Sequence, residues 1–169
     1  MYLLDSNVII ESKNRYYHFD ICPGFWDALK KYHRITTIDY VIKELKDGKD
    51  DEIIRWIDDE NVKTILKSKI IRIDSDDIQE SFGEVAEYIS TLSQPQSEKD
   101  KFLSKADPWL IAASKIRGHT IVTHEKYIPD PNTKKIKIPN VAEYFGVECI
   151  SLCELLKREN IQFFLKESH

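Results

Sequence analysis

Short apolar runs separated by amphipathic stretches constrain this chain more than any other feature. Tyr2–Asp5, Ile35–Thr37, Ile70–Ile73, Thr120–Thr123 and Glu148–Ile150 each read as a strand of three or four residues. The segments between them carry helical periodicity. Parallel strands need crossover connections, and helices supply them. The pattern therefore predicts an α/β fold, three-layer α/β/α, with a mainly parallel central sheet. In such sheets sites assemble outside the carboxyl ends of the strands, which selects the polar residues to examine.

The helical segments have recognisable ends. Asn7–Ser12 opens a first helix, and Pro23 starts another that runs to Tyr32 with Phe25, Trp26 and Leu29 on one side. Asp39 is placed to cap a helix carrying Val41, Ile42 and Leu45 and closed by Gly48. Glu52–Ile57 is amphipathic, and Asp76–Leu92 reads as a long helix. Ala106-Asp107-Pro108 begins a strongly apolar helix stopped by Gly118; Ile138–Phe145 is ended by Gly146, and a last helix starts at Leu152. KNRYYHFDICP, SQPQSEKD and PDPNTKK read as loops.

A chain of 169 residues, 41% apolar and 32% charged, is sized and composed as one soluble domain over residues 1–169. It shows neither a membrane-spanning run nor a signal peptide. Three cysteines without paired spacing fit reduced thiols and a cytoplasmic location. Cys149 and Cys153, four apart, are expected on one helical face as packing rather than as zinc ligands. A net charge of −4 and a pI of about 5.8 give no global footprint for nucleic acid, so such binding must rest on local basic patches.

Acidic residues fall where the site should form. Asp5 ends the first strand, where it suits either a helix cap or an active site. Glu44 lies at the edge of an apolar helix face, open to reading as a solvated charge or a site residue. Asp107 precedes Pro108 at the start of a helix buried on more than one side, a second position suited to capping. Glu125 follows Thr123 and His124 at the end of a buried strand, with less motive to cap. Like charges about 4 Å apart repel by roughly 4 kcal/mol at an effective dielectric of 20, so four carboxylates sharing a pocket must protonate, spread or bind a cation. An all-oxygen donor set suits Mg²⁺ or Mn²⁺, and such sites serve phosphate chemistry.

In order, LLDSN, VIKELKDG, ADPWLIAASKIRG and TIVTHE resemble the acidic motifs of PIN-domain ribonucleases, from Tyr2 to about Leu156. RYYHFDICPGFWDAL and KIKIPNVAEYFGV resemble a PIN-like subgroup related to VapC-type toxins. The resemblance implies metal-dependent hydrolysis of RNA phosphodiesters, with Asp5, Glu44, Asp107 and Glu125 as catalytic acids and ligands of Mg²⁺ or Mn²⁺. It implies supporting roles for Asn7 and Thr123. Where the family usually has a fourth Asp, this chain has Glu125, one methylene longer, which bears on a second metal position. The resemblance further implies the toxin of a type II toxin–antitoxin pair, a cognate antitoxin partner and a possible homodimer, for which the aromatic helix around Trp26 is a candidate interface.

Other residues admit two readings. His124 suits a proton carrier or a half-buried histidine hydrogen-bonded at a strand end. Arg15, Tyr16, Tyr17 and His18 suit stacking on single-stranded RNA or simple cover for one end of the sheet. Lys134, Lys135 and Lys137 form a local basic patch able to contact phosphates. A dehalogenase-like phosphatase would need an acid where Asn7 stands, and no Gly-rich phosphate cradle is present. The rival to catalysis is a PIN-like RNA- or protein-binding module with weak or no activity.

Overall fold

The computed structural model describes residues 1–60, 62 and 69–164. Four short strands form one parallel sheet in the order β2-β1-β3-β4: β1 Tyr2–Leu4, β2 Ile35–Thr36, β3 Thr120–Val122 and β4 Cys149–Ile150. Tyr2 and Leu3 pair with Ile35 and Thr36 on one side, and with Thr120 and Ile121 on the other. The chain leaves β1 toward β2 and later returns across to β3. The order therefore reverses between β1 and β3, and their carboxyl ends flank the crevice where open α/β sheets bind ligands.

Helices make every crossover. α1 (Ser6–Glu11) and α2 (Pro23–Lys31) join β1 to β2. Then α3 (Asp39–Asp47), α4 (Asp51–Asp58), α5 (Asp76–Thr91), α6 (Gln96–Leu103) and α7 (Asp107–Arg117) precede β3. α8 (Ile138–Tyr144) joins β3 to β4, and α9 (Leu152–Arg158) follows. The result is the expected three-layer α/β/α arrangement. Leu3, Val8, Ile38, Ile111, Ile121 and Leu155 are fully buried, each contributing roughly 1.5–3 kcal/mol by leaving water. Along α7, Leu110, Ile111, Ala112, Ala113 and Ser114 are all buried, so this helix is enclosed on several sides, as its apolar sequence demands. Gly118 ends it in the left-handed region (φ 61°), where a side chain would be strained.

Several expectations change in detail. Asp39 is not the cap of α3; Ile38 holds that position, and the Asp39 carboxylate accepts the Ile73 N–H at 3.3 Å instead. Ile70–Ile73 supplies only one parallel bridge, Ile38 to Ile71, rather than a strand. SQPQSEKD is loop only to Pro95, after which α6 begins, because proline suits the entry to a helix. Within KNRYYHFDICP the first residues form a wide turn, Ser12–Tyr16, anchored where Lys13 pairs with Asp50 and Glu52, both at 2.8 Å. Trp26, the candidate interface residue, is only 3% exposed: it packs against Phe19, Phe25 and Trp56, and its Nε1–H donates to the Tyr17 carbonyl at 2.6 Å. Cys149 lies in β4 and Cys153 in α9, so they share no helical face; burial pushes the Cys149 thiol up to about 12.

Candidate metal and RNA site

Asp5 sits immediately beyond β1 and remains in the ladder, its N–H donating to the Val122 carbonyl at 3.0 Å. Its side chain, wholly buried, takes up both of the roles considered for it. One oxygen accepts the Asn7 N–H at 3.4 Å and so caps α1; the other accepts the Thr123 hydroxyl at 2.9 Å. Burial pushes the carboxyl up to about 6; the Thr123 hydrogen bond opposes this, and the charges on Glu125 and Glu44 add to it. Thr123 also accepts the Glu125 N–H at 3.1 Å, linking the ends of β1 and β3. Asn7, expected to support the site, does so through its backbone.

Glu44 projects from α3 at the margin of the buried face. One oxygen accepts the Ala106 N–H at 2.8 Å, the other the Ser6 hydroxyl at 3.0 Å. It therefore supplies a hydrogen-bond partner at the start of α7 that α7 does not supply for itself, because Ala106 cannot cap. Ser6 Oγ also lies 3.3 Å from Asp5 Oδ1, so one hydroxyl sits between two of the acids. Sequence reasoning passed over Ser6; its place between Asp5 and Asn7 in LLDSN was the available signal.

Asp107 is the first residue of α7 and makes no capping bond, contrary to the role its position suggested. It is 8% exposed, and among the described residues nothing donates a hydrogen bond to its carboxylate. Burial pushes it up to about 8, the charges on Asp5, Glu125 and Glu44 push the same way, and Lys105 opposes them. The four acids are thus within electrostatic reach of one another.

Glu125 differs from the rest. Its carboxylate accepts Lys137 Nζ at 2.5 Å and the Ile138 N–H at 2.8 Å. Lys137, expected to meet RNA, is engaged inside the protein. Asp107, Glu125 and Lys137 line one cleft of about 140 Å³ together with Lys101, Lys105 and Lys135. Lys135 and Lys134 are exposed. α6, whose first residues were expected as the loop SQPQSEKD, delivers Lys101 to this rim, and Lys105 follows on the turn after it.

His124 turns away from that cleft and lines a neighbouring one with Tyr127 and Cys149. Its Nε2 is buried without a hydrogen-bond partner, unlike the hydrogen-bonded histidine of the plainer reading. Its ring centroid lies 6.0 Å from that of Tyr16, which is 58% exposed, and Arg15 is exposed beside it. Tyr17 stacks on Phe25 at 4.2 Å and is a packing residue. The aromatic segment is therefore divided: Tyr17 covers the core and Tyr16 faces outward.

The donor set is chemically suited to a hard divalent cation: oxygens only, two of the carboxylates buried, and one of those without a donor. Yet among the described residues no three His, Cys, Asp or Glu side chains converge into a ready metal cage. Asp5, Glu44 and Asp107, none of them paired with a lysine or arginine among the described residues, fit the group in kind; Glu125, already paired with the Lys137 ammonium, fits it less well.

The acids stand at the switch point of a three-layer α/β/α fold with a four-stranded parallel sheet. The crystal structure of FitAcB from Neisseria gonorrhoeae superimposes with a TM-score of 0.55, covering 88% of this chain and 96% of that one at 15% identity. The chain itself belongs to the family described as a domain of unknown function, DUF4411, which it matches over residues 2–163. No curated protein matches it at a significant level. No helix among the described residues is long and apolar enough to cross a membrane.

Proposed function

We propose that this protein is a metal-dependent endoribonuclease. The observation that carries the reading is Asp107: a buried carboxylate with no hydrogen-bond donor, facing the charges of Asp5 and Glu44 at the switch point of a parallel sheet. Burial keeps this carboxyl protonated up to about pH 8, and a bound cation would pair with its ionised form and relieve that cost. Mg²⁺ or Mn²⁺ held by Asp5, Asp107 and Glu44 would supply Lewis-acid stabilisation and an activated water at a phosphodiester.

The chain's own residues do the positioning. Thr123 and the Asn7 N–H fix Asp5 in one rotamer. Ser6 and the Ala106 N–H hold Glu44 across the crevice. Lys101, Lys105 and Lys135 rim the cleft with positive charge for the RNA backbone, and exposed Tyr16 and Arg15 offer a stacking surface near the end of β3. A role as the toxin of a toxin–antitoxin pair, bound by a cognate antitoxin, rests on the VapC-like motifs and the PIN-like fold together.

The test is cleavage of a labelled single-stranded RNA with Mg²⁺, Mn²⁺ or EDTA, comparing wild type with Asp5→Asn. Cleavage by wild type alone, abolished by EDTA, supports the reading; equal cleavage by both proteins overturns it. Retained RNA binding without any cleavage would favour the binding-module reading, to which the saturated Glu125 lends weight.

A further inference from the structure

We infer that Lys137 is a built-in counter-ion that replaces a second divalent cation at the Glu125 corner, so that the acidic site takes a single divalent ion. The inference rests on the reading of the site as cation-dependent. The geometry around Glu125 is specific. Both carboxylate oxygens are occupied, one by the ammonium at 2.5 Å and the other by the first N–H of α8 at 2.8 Å. Both side chains are largely enclosed, 16% exposed for Glu125 and 28% for Lys137. At its other end Glu125 is fixed by its own N–H on Thr123.

The loop between them is clamped as well. Asn140 accepts the Ile128 N–H at 3.0 Å and donates to the Ile128 carbonyl at 2.8 Å, tying the chain after Glu125 to α8. Lys137 is therefore delivered to Glu125 by a fixed connection rather than by a free side-chain excursion. The extra methylene of glutamate has a physical purpose in this arrangement. It lets a residue anchored at the end of β3 reach the start of α8, which a shorter carboxylate on the same backbone would not do.

A second hard cation at Glu125 would have to displace the ammonium and forfeit a charge-assisted hydrogen bond, which is stronger than a neutral one. Asp107, by contrast, has no donor to displace. The two acids lining one cleft are thus unequal: Asp107 is open to a cation and Glu125 is already neutralised. Glu125 becomes a positioning residue for α8 and Lys137 rather than a ligand.

Bound Mn²⁺ can be counted on the full-length protein by the loss of the free-ion electron paramagnetic resonance signal. Wild type is expected to bind one Mn²⁺ per chain, Glu125→Gln also one with comparable affinity, and Lys137→Met two. Two ions on wild type falling to one in Glu125→Gln would overturn the inference while leaving the cation-dependent site intact. One ion on Lys137→Met would also overturn it. No Mn²⁺ on wild type would overturn both this inference and the cation-dependent reading. Metal-free thermal unfolding guards against misfolding: Lys137→Met should lower the melting temperature, and adding Glu125→Gln should recover part of the loss. A purely additive double variant would count against the pair as a unit.

Discussion

Asp107 and Glu159 are both nearly buried acids, and the protein treats them in opposite ways. The Glu159 side chain, 6% exposed, accepts the Tyr2 hydroxyl at 2.6 Å and the Tyr32 hydroxyl, and pairs with Arg34 at 2.9 Å. Those donors hold its carboxyl below the usual range, the Tyr2 and Tyr32 hydrogen bonds foremost. Glu159 ties the segment after α9 to the amino-terminal end of the sheet, where β1 starts. Asp107, at the carboxyl end, is given no donor and is pushed up to about 8. A fully satisfied acid joins segments; an unsatisfied one stores an interaction for a ligand. The difference separates an end of the sheet whose acid is fully paired from one whose acid is not.

The largest expected effect would break that contrast. Asp107→Asn should reduce RNA cleavage by at least about 100-fold, the scale of losing a group that stabilises transition-state charge. The same change should raise metal-free thermal stability near neutral pH, because it removes an acid that the folded state must keep protonated while the unfolded chain ionises it. Glu159→Gln should do the reverse, lowering the melting temperature while cleavage by the folded protein persists. If both variants lose activity in parallel with stability, the two ends are not functionally distinct.

The pH dependence sharpens the same point. Asp5 and Asp107 have folded-state values raised to about 6 and about 8, above the 3.8 of the free acid. For an acid raised on folding, the native state holds the proton more tightly than the unfolded state. Stability without metal is therefore greatest below about pH 4 for these two groups and falls as pH rises through 6 toward 8. Denaturant unfolding at pH 5 and pH 8 should show wild type weaker at pH 8, and Asp107→Asn with a shallower loss. Added Mn²⁺ should raise the wild-type midpoint at pH 8 through binding to the native state.

Smaller effects divide the aromatic segment. Tyr17→Ala, which empties the stack on Phe25, should cost about 3 kcal/mol in unfolding experiments. Tyr16→Ala, at an exposed position, should leave stability within about 0.5 kcal/mol of wild type. If Tyr16 stacks on RNA, the same variant should weaken RNA binding by about 1–3 kcal/mol in a titration with a short oligonucleotide. Ser6→Ala should cost on the order of 1 kcal/mol in unfolding experiments by removing the hydroxyl between Asp5 and Glu44.

The alternation of strand and helix was legible because parallel strands demand it, and the glycine stops at Gly118 and Gly146 marked helix ends through their positive φ. The four acids were legible as a set by their positions at strand ends and helix starts. What their carboxylates touch was not. Glu44 accepts the N–H of a residue far along the chain, and Glu125 meets a lysine beyond an irregular loop; neither partner lies at a helical or strand spacing. Ile70–Ile73 looked like a strand because it is apolar, whereas tertiary pairing gave it a single bridge. Lys101 was hidden because Pro95 in SQPQSEKD signals a loop and a helix start equally well.

The bonds holding the acids join stretches far apart in the chain: Ser6 to Glu44 across 38 positions, Glu44 to Ala106 across 62, and Asp5 to Thr123 across 118. A chain emerging from the ribosome carries Asp5 and its local Asn7 N–H cap almost at once, but its Thr123 partner arrives only when β3 has been made and docked. The site is therefore assembled only after β3 has docked beside β1. Chains released before Thr123 should lack the Asp5–Thr123 bond and, if the site holds a cation as proposed, bind Mn²⁺ less tightly than the full chain.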